Sequence, residues 1–155
     1  MRETFNFNNN WIFENSEVCL PHNAVELPLN YFDENIYQKE FIYEKIIKSE
    51  ASWDNKEVCL VFEAIMANAH VYLNDKKIVS HTDGYTPFIA RLTDELEKGE
   101  NILRVKIDGS ENPSIPPFGG RIDYLTYAGI YRDVHLRLTS PIFIHNIKIE
   151  TPNVF

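Results

Sequence analysis

Asp123 heads the stretch Asp-Tyr-Leu-Thr-Tyr-Ala-Gly-Ile-Tyr-Arg-Asp-Val, residues 123–134. A carboxylate offers two oxygens, so it can accept hydrogen bonds from two adjacent hydroxyls, and charge-assisted bonds of this kind are the stronger ones. The loop running into it carries Pro113, Pro116, Pro117, Gly119 and Gly120, which excludes helix and interior strand. Gly129 then opens an alternating run: Val134, Leu136 and Leu138 point one way, and Tyr131, Asp133, His135 and Arg137 the other. Asp123 therefore stands where an irregular loop re-enters a packed strand, and a rigid scaffold there can hold an exposed polar group still. Taken alone, the residues favour a plainer role, a loop Asp that caps a turn through its own backbone.

Other residues have less to offer. Arg132 and Asp133 are adjacent and point to opposite faces, so each is expected to find a partner on a neighbouring strand or domain. Phe118 and Tyr124 flank Asp123 and could stack on an apolar ring face, whereas Trp11 and Trp53 sit among apolar residues and are expected in the core. The five histidines (His22, His70, His81, His135, His145) show no metal-ligand spacing. Cys19 and Cys59, the two cysteines, lie in apolar runs without zinc spacing and read as two buried thiols.

The elements that must position these groups are short and β-like. Residues 1–15 read as one short strand plus a loop. Tyr37 to Lys48 alternates, with Tyr37, Phe41, Tyr43 and Ile47 on one face. Glu57 to Ile65 is apolar on both faces and suits a central strand. Ala69 to Leu73 and Lys76 to His81 form a hairpin through Asn74-Asp75, two residues that tolerate positive φ. Gly84 to Phe88 is a turn entering a strand through Arg91 and Leu92. Thr93 to Gly99 reads as a single helical turn with Thr93 as N-cap and Gly99 as C-cap, and Asn101 to Ile107 as a further strand. Ser140-Pro141 breaks the last strand, and Ile142, Ile144, Ile147 and Ile149 follow as an apolar stretch. About eight or nine short strands with turn chemistry between them and no long helix argue for an antiparallel β-sandwich.

Length and charge narrow the class. A chain of 155 residues makes one domain of ordinary size and folds without disulfide or metal. The net charge is −8, with Lys and Arg scattered rather than striped, which argues against nucleic acid and anionic membranes as partners. No apolar run has signal-peptide or membrane-spanning length, so a cytoplasmic location is expected.

Ala-Gly-Ile-Tyr-Arg-Asp-Val with an Asp six residues before its Gly resembles the N-terminal sugar-binding domain of glycoside hydrolase family 2, which includes β-galactosidases, β-glucuronidases and β-mannosidases. Companion elements extend the resemblance over nearly the whole chain. Leu20-Pro21-His22-Asn23-Ala24 is similar to the family's Leu-Pro-His-Asp-Trp but lacks the Trp. The segment at Tyr37 has Ile36 where Trp is usual, and the hairpin has Asp75 in place of Gly. Gly84-Tyr85-Thr86-Pro87-Phe88 is a further family element. The resemblance implies a jelly roll of the galactose-binding-domain-like type over residues 1–140. It makes 141–155 a linker with the start of a following immunoglobulin-like domain, truncated.

The resemblance also implies a function. Retaining glycoside hydrolysis needs two carboxyl groups roughly 5 Å apart. In this family both come from a separate (β/α)8 barrel, so no catalytic residue, metal or cofactor is expected in this chain, and the chain alone is expected to be inactive. A chance pair among 23 acidic residues would carry no weight. With the resemblance in place, Asp123 becomes the leading candidate for contact with a terminal β-linked sugar. Phe118 and Tyr124 are the rings beside it, and Asn30 is a further candidate in a loop where some relatives place a sugar-contacting Asn. The expected partners are carbohydrate, the downstream domains of the same enzyme and a possible homo-oligomer of the parent. Tyr-Arg-Asp-Val leans to β-galactosidase and Tyr-Ala-Gly-Ile to β-glucuronidase. The rival readings are an autonomous carbohydrate-binding module, which would bind free sugar unaided, and a purely structural sandwich that supports the barrel.

Overall fold

A computed structural model describes residues 2–26, 33–116, 118–119 and 127–152. Its strands are β1 (Glu3–Asn6), β2 (Trp11–Phe13), β3 (Ser16–Val18), β4 (His22–Asn23), β5 (Glu40–Lys48), β6 (Glu57–Phe62), β7 (Asn68–Leu73), β8 (Lys76–Thr82), β9 (Phe88–Arg91), β10 (Glu100–Asp108), β11 (Gly129–Ile130) and β12 (Val134–Thr139). They form a four-stranded sheet in the order β1-β12-β6-β9, a six-stranded sheet β3-β2-β5-β10-β7-β8 and a two-stranded ribbon of β4 and β11. Every pairing is antiparallel. The fold is the expected all-β sandwich of jelly-roll class, and the only helices among the described residues are 3-10 turns at Glu34–Ile36 and Ala51–Trp53.

The core follows from the two-residue period of a strand. Phe41, Tyr43 and Ile47 of β5, Leu103, Val105 and Ile107 of β10, and Ala69, Val71 and Leu73 of β7 are buried from one sheet. Val58, Leu60 and Phe62 of β6, Val134, Leu136 and Leu138 of β12, and Phe88 and Ala90 of β9 meet them from the other. Two inner faces that interdigitate in this way make the core of a sandwich. Trp11 is fully buried and Trp53 packs at the edge of the core, as expected.

Several local expectations need correction. Residues 1–15 contain two strands, β1 and β2, which belong to different sheets, and β3 follows at once. Positive φ at Asn10, Glu14 and Asn15 makes the turns that allow this; asparagine accepts that conformation by bonding locally. Tyr37 is fully buried but precedes β5 rather than lying on it. β6 ends at Phe62, and Ala64, Ile65, Met66 and Ala67 remain buried without being strand. No helix forms at Thr93–Gly99. Glu95 and Leu96 both donate to the Leu92 carbonyl, while the Thr93 hydroxyl accepts from the Val58 N–H at 2.9 Å, so a neighbouring strand takes the group expected as a cap. The run from Gly129 is broken after Ile130, because β11 joins β4 whereas β12 joins β1 and β6. Cys59 is buried but Cys19 is exposed, and both are free thiols. The hairpin of β7 and β8 forms as expected, with Asn74 and Asp75 at φ 49° and 64°, a type I′ geometry.

Beyond Thr139 no strand occurs among the described residues. Ile142, Ile144, Ile147 and Ile149 are all largely exposed, and the Arg2 guanidinium donates to the Ile144 carbonyl at 3.0 Å. Among the described residues no helix is long and apolar enough to cross a membrane.

Candidate functional site

One end of the sandwich gathers the start of β5, the ends of β6 and β10, the β8–β9 turn and the β4–β11 ribbon. The loop after β10 leaves from this end and returns to it. Its departure is fixed at Gly109, whose N–H donates to the Lys39 carbonyl at 3.0 Å. A side chain at Gly109 would meet the Tyr37 carbonyl oxygen at 2.3 Å and Ala128 Cβ at 2.9 Å, so glycine lets the outgoing and incoming chain pass close together. Its return is fixed at Gly129, which exchanges two 3.0 Å backbone hydrogen bonds with Met66, while Ala24 N–H donates to the Ala128 carbonyl at 3.0 Å. Between these anchors the Tyr37 hydroxyl donates to Glu111 Oε1 at 3.1 Å.

Of the residues expected to meet a ligand, Phe118 lies in this loop and is 39% exposed, so it is available for contact. Its N–H donates to the Ile115 carbonyl at 2.7 Å and its φ is 60°. Asp123, Tyr124 and Asn30 lie outside the described residues. Asp133 finds a partner within the domain, accepting from Asn8 Nδ2 at 2.8 Å, and the Arg132 guanidinium lies 5.6 Å from the Tyr131 ring centre.

The structure also brings together residues that the sequence does not single out as contacts. Tyr127 and Tyr131 meet edge to face at 5.8 Å, and the Tyr131 hydroxyl donates to the Gly84 carbonyl. Burial raises the Tyr131 pKa, so it stays a neutral phenol. Tyr85, beside Gly84, is 44% exposed. These tyrosines flank Gly129 and Gly84 in the quoted motifs, a signal available in the sequence. Beneath them His22 Nδ1 lies 2.8 Å from the hydroxyl of fully buried Tyr43, and Phe13 packs against both rings. Burial raises the Tyr43 pKa despite a hydrogen bond from the Ile130 backbone, and burial lowers that of His22 against the opposing charge of Glu26.

That depression fixes a pH dependence. The unfolded chain takes up a proton at His22 near its ordinary value of about 6.5, whereas the folded chain resists it to lower pH. The stability held at neutral pH therefore drains as pH falls below that value, until the folded state is protonated too. Urea midpoints measured from pH 7.5 to 5 should fall with acid, and His22→Phe should flatten part of that fall. An unchanged slope in the variant would show that His22 takes no part. His70, lowered first by burial and then by Lys77, adds to the same trend and stays intact in the test.

A cleft of about 620 Å³ opens at the opposite end, between Ser49–Val58 and Arg91–Gly99, with Pro141 at its edge. It lies at the end of the sheets remote from Gly109 and Gly129.

The profile described as "Glycosyl hydrolases family 2, sugar binding domain" matches residues 3–141. The chain is 46% identical over 99% of its length to a β-galactosidase of Rhizobium meliloti, of which it spans 22%. It is 41% identical over its whole length to a β-galactosidase of Thermoanaerobacterium thermosulfurigenes, of which it spans 24%. The crystal structure of a Bacteroides uniformis β-glucuronidase superposes on 90% of the chain with a TM-score of 0.77 at 26% identity, the chain covering 18% of that structure. The chain thus spans about a quarter or less of the length of these relatives.

Proposed function

Because the chain belongs to glycoside hydrolase family 2, as its sugar-binding domain, we propose that it supplies one wall of the terminal-sugar pocket of an exo-β-glycosidase whose catalytic carboxylates reside in another domain. Asp123 accepts hydrogen bonds from the sugar hydroxyls, and Phe118 and Tyr124 flank it, with Asn30 a lesser contact. The observation that carries this reading is the loop from Gly109 to Gly129, anchored to the sandwich at both ends and bearing the motif that introduced Asp123. The substrate we infer is a β-galactoside, because relatives at 46% and 41% identity are β-galactosidases. A β-glucuronide is the second choice, supported by the structural likeness to a β-glucuronidase.

On this reading the domain does not bind sugar unaided. One or two charge-assisted bonds at roughly 1.5–3 kcal/mol each do not overcome the cost of capturing a mobile, hydrated sugar. Calorimetric titration of the isolated chain with galactose should give binding at millimolar levels or none. Micromolar binding would replace the proposal with an autonomous carbohydrate-binding module.

A further inference from the structure

The geometry points to a divalent transition-metal site formed by Glu63, Asp133 and His135 on the solvent-facing side of the four-stranded sheet. Asp133 and His135 stand two apart on extended chain and share a face. Glu63 N–H donates to the Asp133 carbonyl at 3.1 Å, which carries the β6–β12 pairing one step past Phe62 and sets Glu63 opposite them. One donor atom from each of the three lies within 4.8 Å of the other two, and His135 Nε2 is 3.1 Å from Glu63 Oε1.

Two features separate this trio from a chance group of acids. The first is the imidazole. One nitrogen and two carboxylate oxygens suit Zn²⁺ or Mn²⁺, whereas Ca²⁺ and Mg²⁺ favour oxygen alone. The second is the support behind Asp133. Asn8 is 7% exposed, its Nδ2 donates to Asp133 Oδ1 at 2.8 Å, and its Oδ1 accepts from Val134 N–H at 2.8 Å. A ligating carboxylate oriented by a buried hydrogen-bond partner is the usual arrangement around a metal. Zinc holds its ligands at about 2.0–2.2 Å, so the three donors must draw together by roughly an ångström. The half-exposed Glu63 arm supplies that movement, exchanging its bond to His135 for the metal, and water completes the coordination. Spacing along the sequence did not reveal the site because Glu63 comes from a distant segment, just past the end of β6.

The test uses the 155-residue chain carrying Cys19→Ser, which removes the exposed thiol, stripped with chelator and titrated calorimetrically with zinc chloride. One-to-one saturable binding is expected, weakened about a hundred-fold by His135→Gln and about ten-fold by Glu63→Gln. In the unsubstituted chain, substoichiometric Mn²⁺ should broaden the ring protons of His135 before those of His22, His70, His81 or His145, a readout independent of any variant's folding. Absence of a saturable site, zinc affinity unchanged in His135→Gln, or broadening centred on another histidine would overturn the assignment.

Discussion

On the proposed function, replacing Asp123 with alanine in the full-length enzyme should lower kcat/KM by roughly ten- to a thousand-fold. In the assembled pocket the sugar is already positioned, so the entropy that defeats binding by the isolated domain has been met by the remaining contacts. The lost hydrogen bonds then count almost in full, and those that tighten as the ring distorts act on kcat as well as KM. Asp123→Asn keeps one acceptor and should lose less than Asp123→Ala. Unfolding free energy should change by under about 1 kcal/mol, because the sequence around Asp123 reads as loop rather than core strand. Steady-state kinetics on a nitrophenyl β-galactoside decide the matter. Unchanged kinetics in Asp123→Ala would leave the domain a purely structural support.

The second large effect falls on stability. Gly129→Val should cost the isolated chain about 3–5 kcal/mol, a substantial part of the 5–15 kcal/mol typical of a domain. Gly129 has φ 127°, where a side chain is strained by about 1–3 kcal/mol. Its added Cβ would also lie 2.6 Å from the His22 carbonyl oxygen and 2.7 Å from Ala24 N, backbone atoms that cannot swing aside. Relief requires separating β4 from β11, and with them the return anchor of the loop after β10. Gly99 provides the control, since its φ is 94° but an added Cβ meets nothing within 4 Å. Gly99→Ala should therefore show the strain alone, about 1 kcal/mol. Urea unfolding of both variants separates the two causes, and a Gly129→Val protein within 1 kcal/mol of the parent would contradict the argument.

The sandwich was legible because its code is local. Alternation in Phe41-x-Tyr43 and Val134-x-Leu136-x-Leu138 states which face is buried, and Asn74-Asp75 states where a hairpin turns. Failures arose where a distant residue decides. Tertiary pairing stops β6 at Phe62 and splits Gly129–Ile130 from β12, and nothing in the run of side chains marks either break. Thr93 looked like a cap until Val58 claimed its hydroxyl. Cys19 sits between apolar neighbours in sequence yet is exposed, just past the end of β3, with its thiol 3.2 Å from Asn9 Oδ1. At the candidate site the sequence pointed to Asp123, which lies outside the described residues, and nothing local could have paired His22 with Tyr43 or Asn8 with Asp133, which lie 125 residues apart.

The anchors of the loop after β10 and the exit of β12 at Thr139 lie at opposite ends of the sandwich. The nine-residue β10 sets the distance between those ends at about 30 Å. Any domain tethered after Thr139 thus holds the loop at the tip of a long rigid arm. A swing of two degrees at the tether displaces the tip by about 1 Å, and misplacement on that scale can cost a hundred-fold in rate. On the proposed function, the angular tolerance of the enzyme would be set at the joint beyond Thr139, far from the chemistry. Substitutions around Pro141 would then tune activity by leverage while touching neither sugar nor carboxylate.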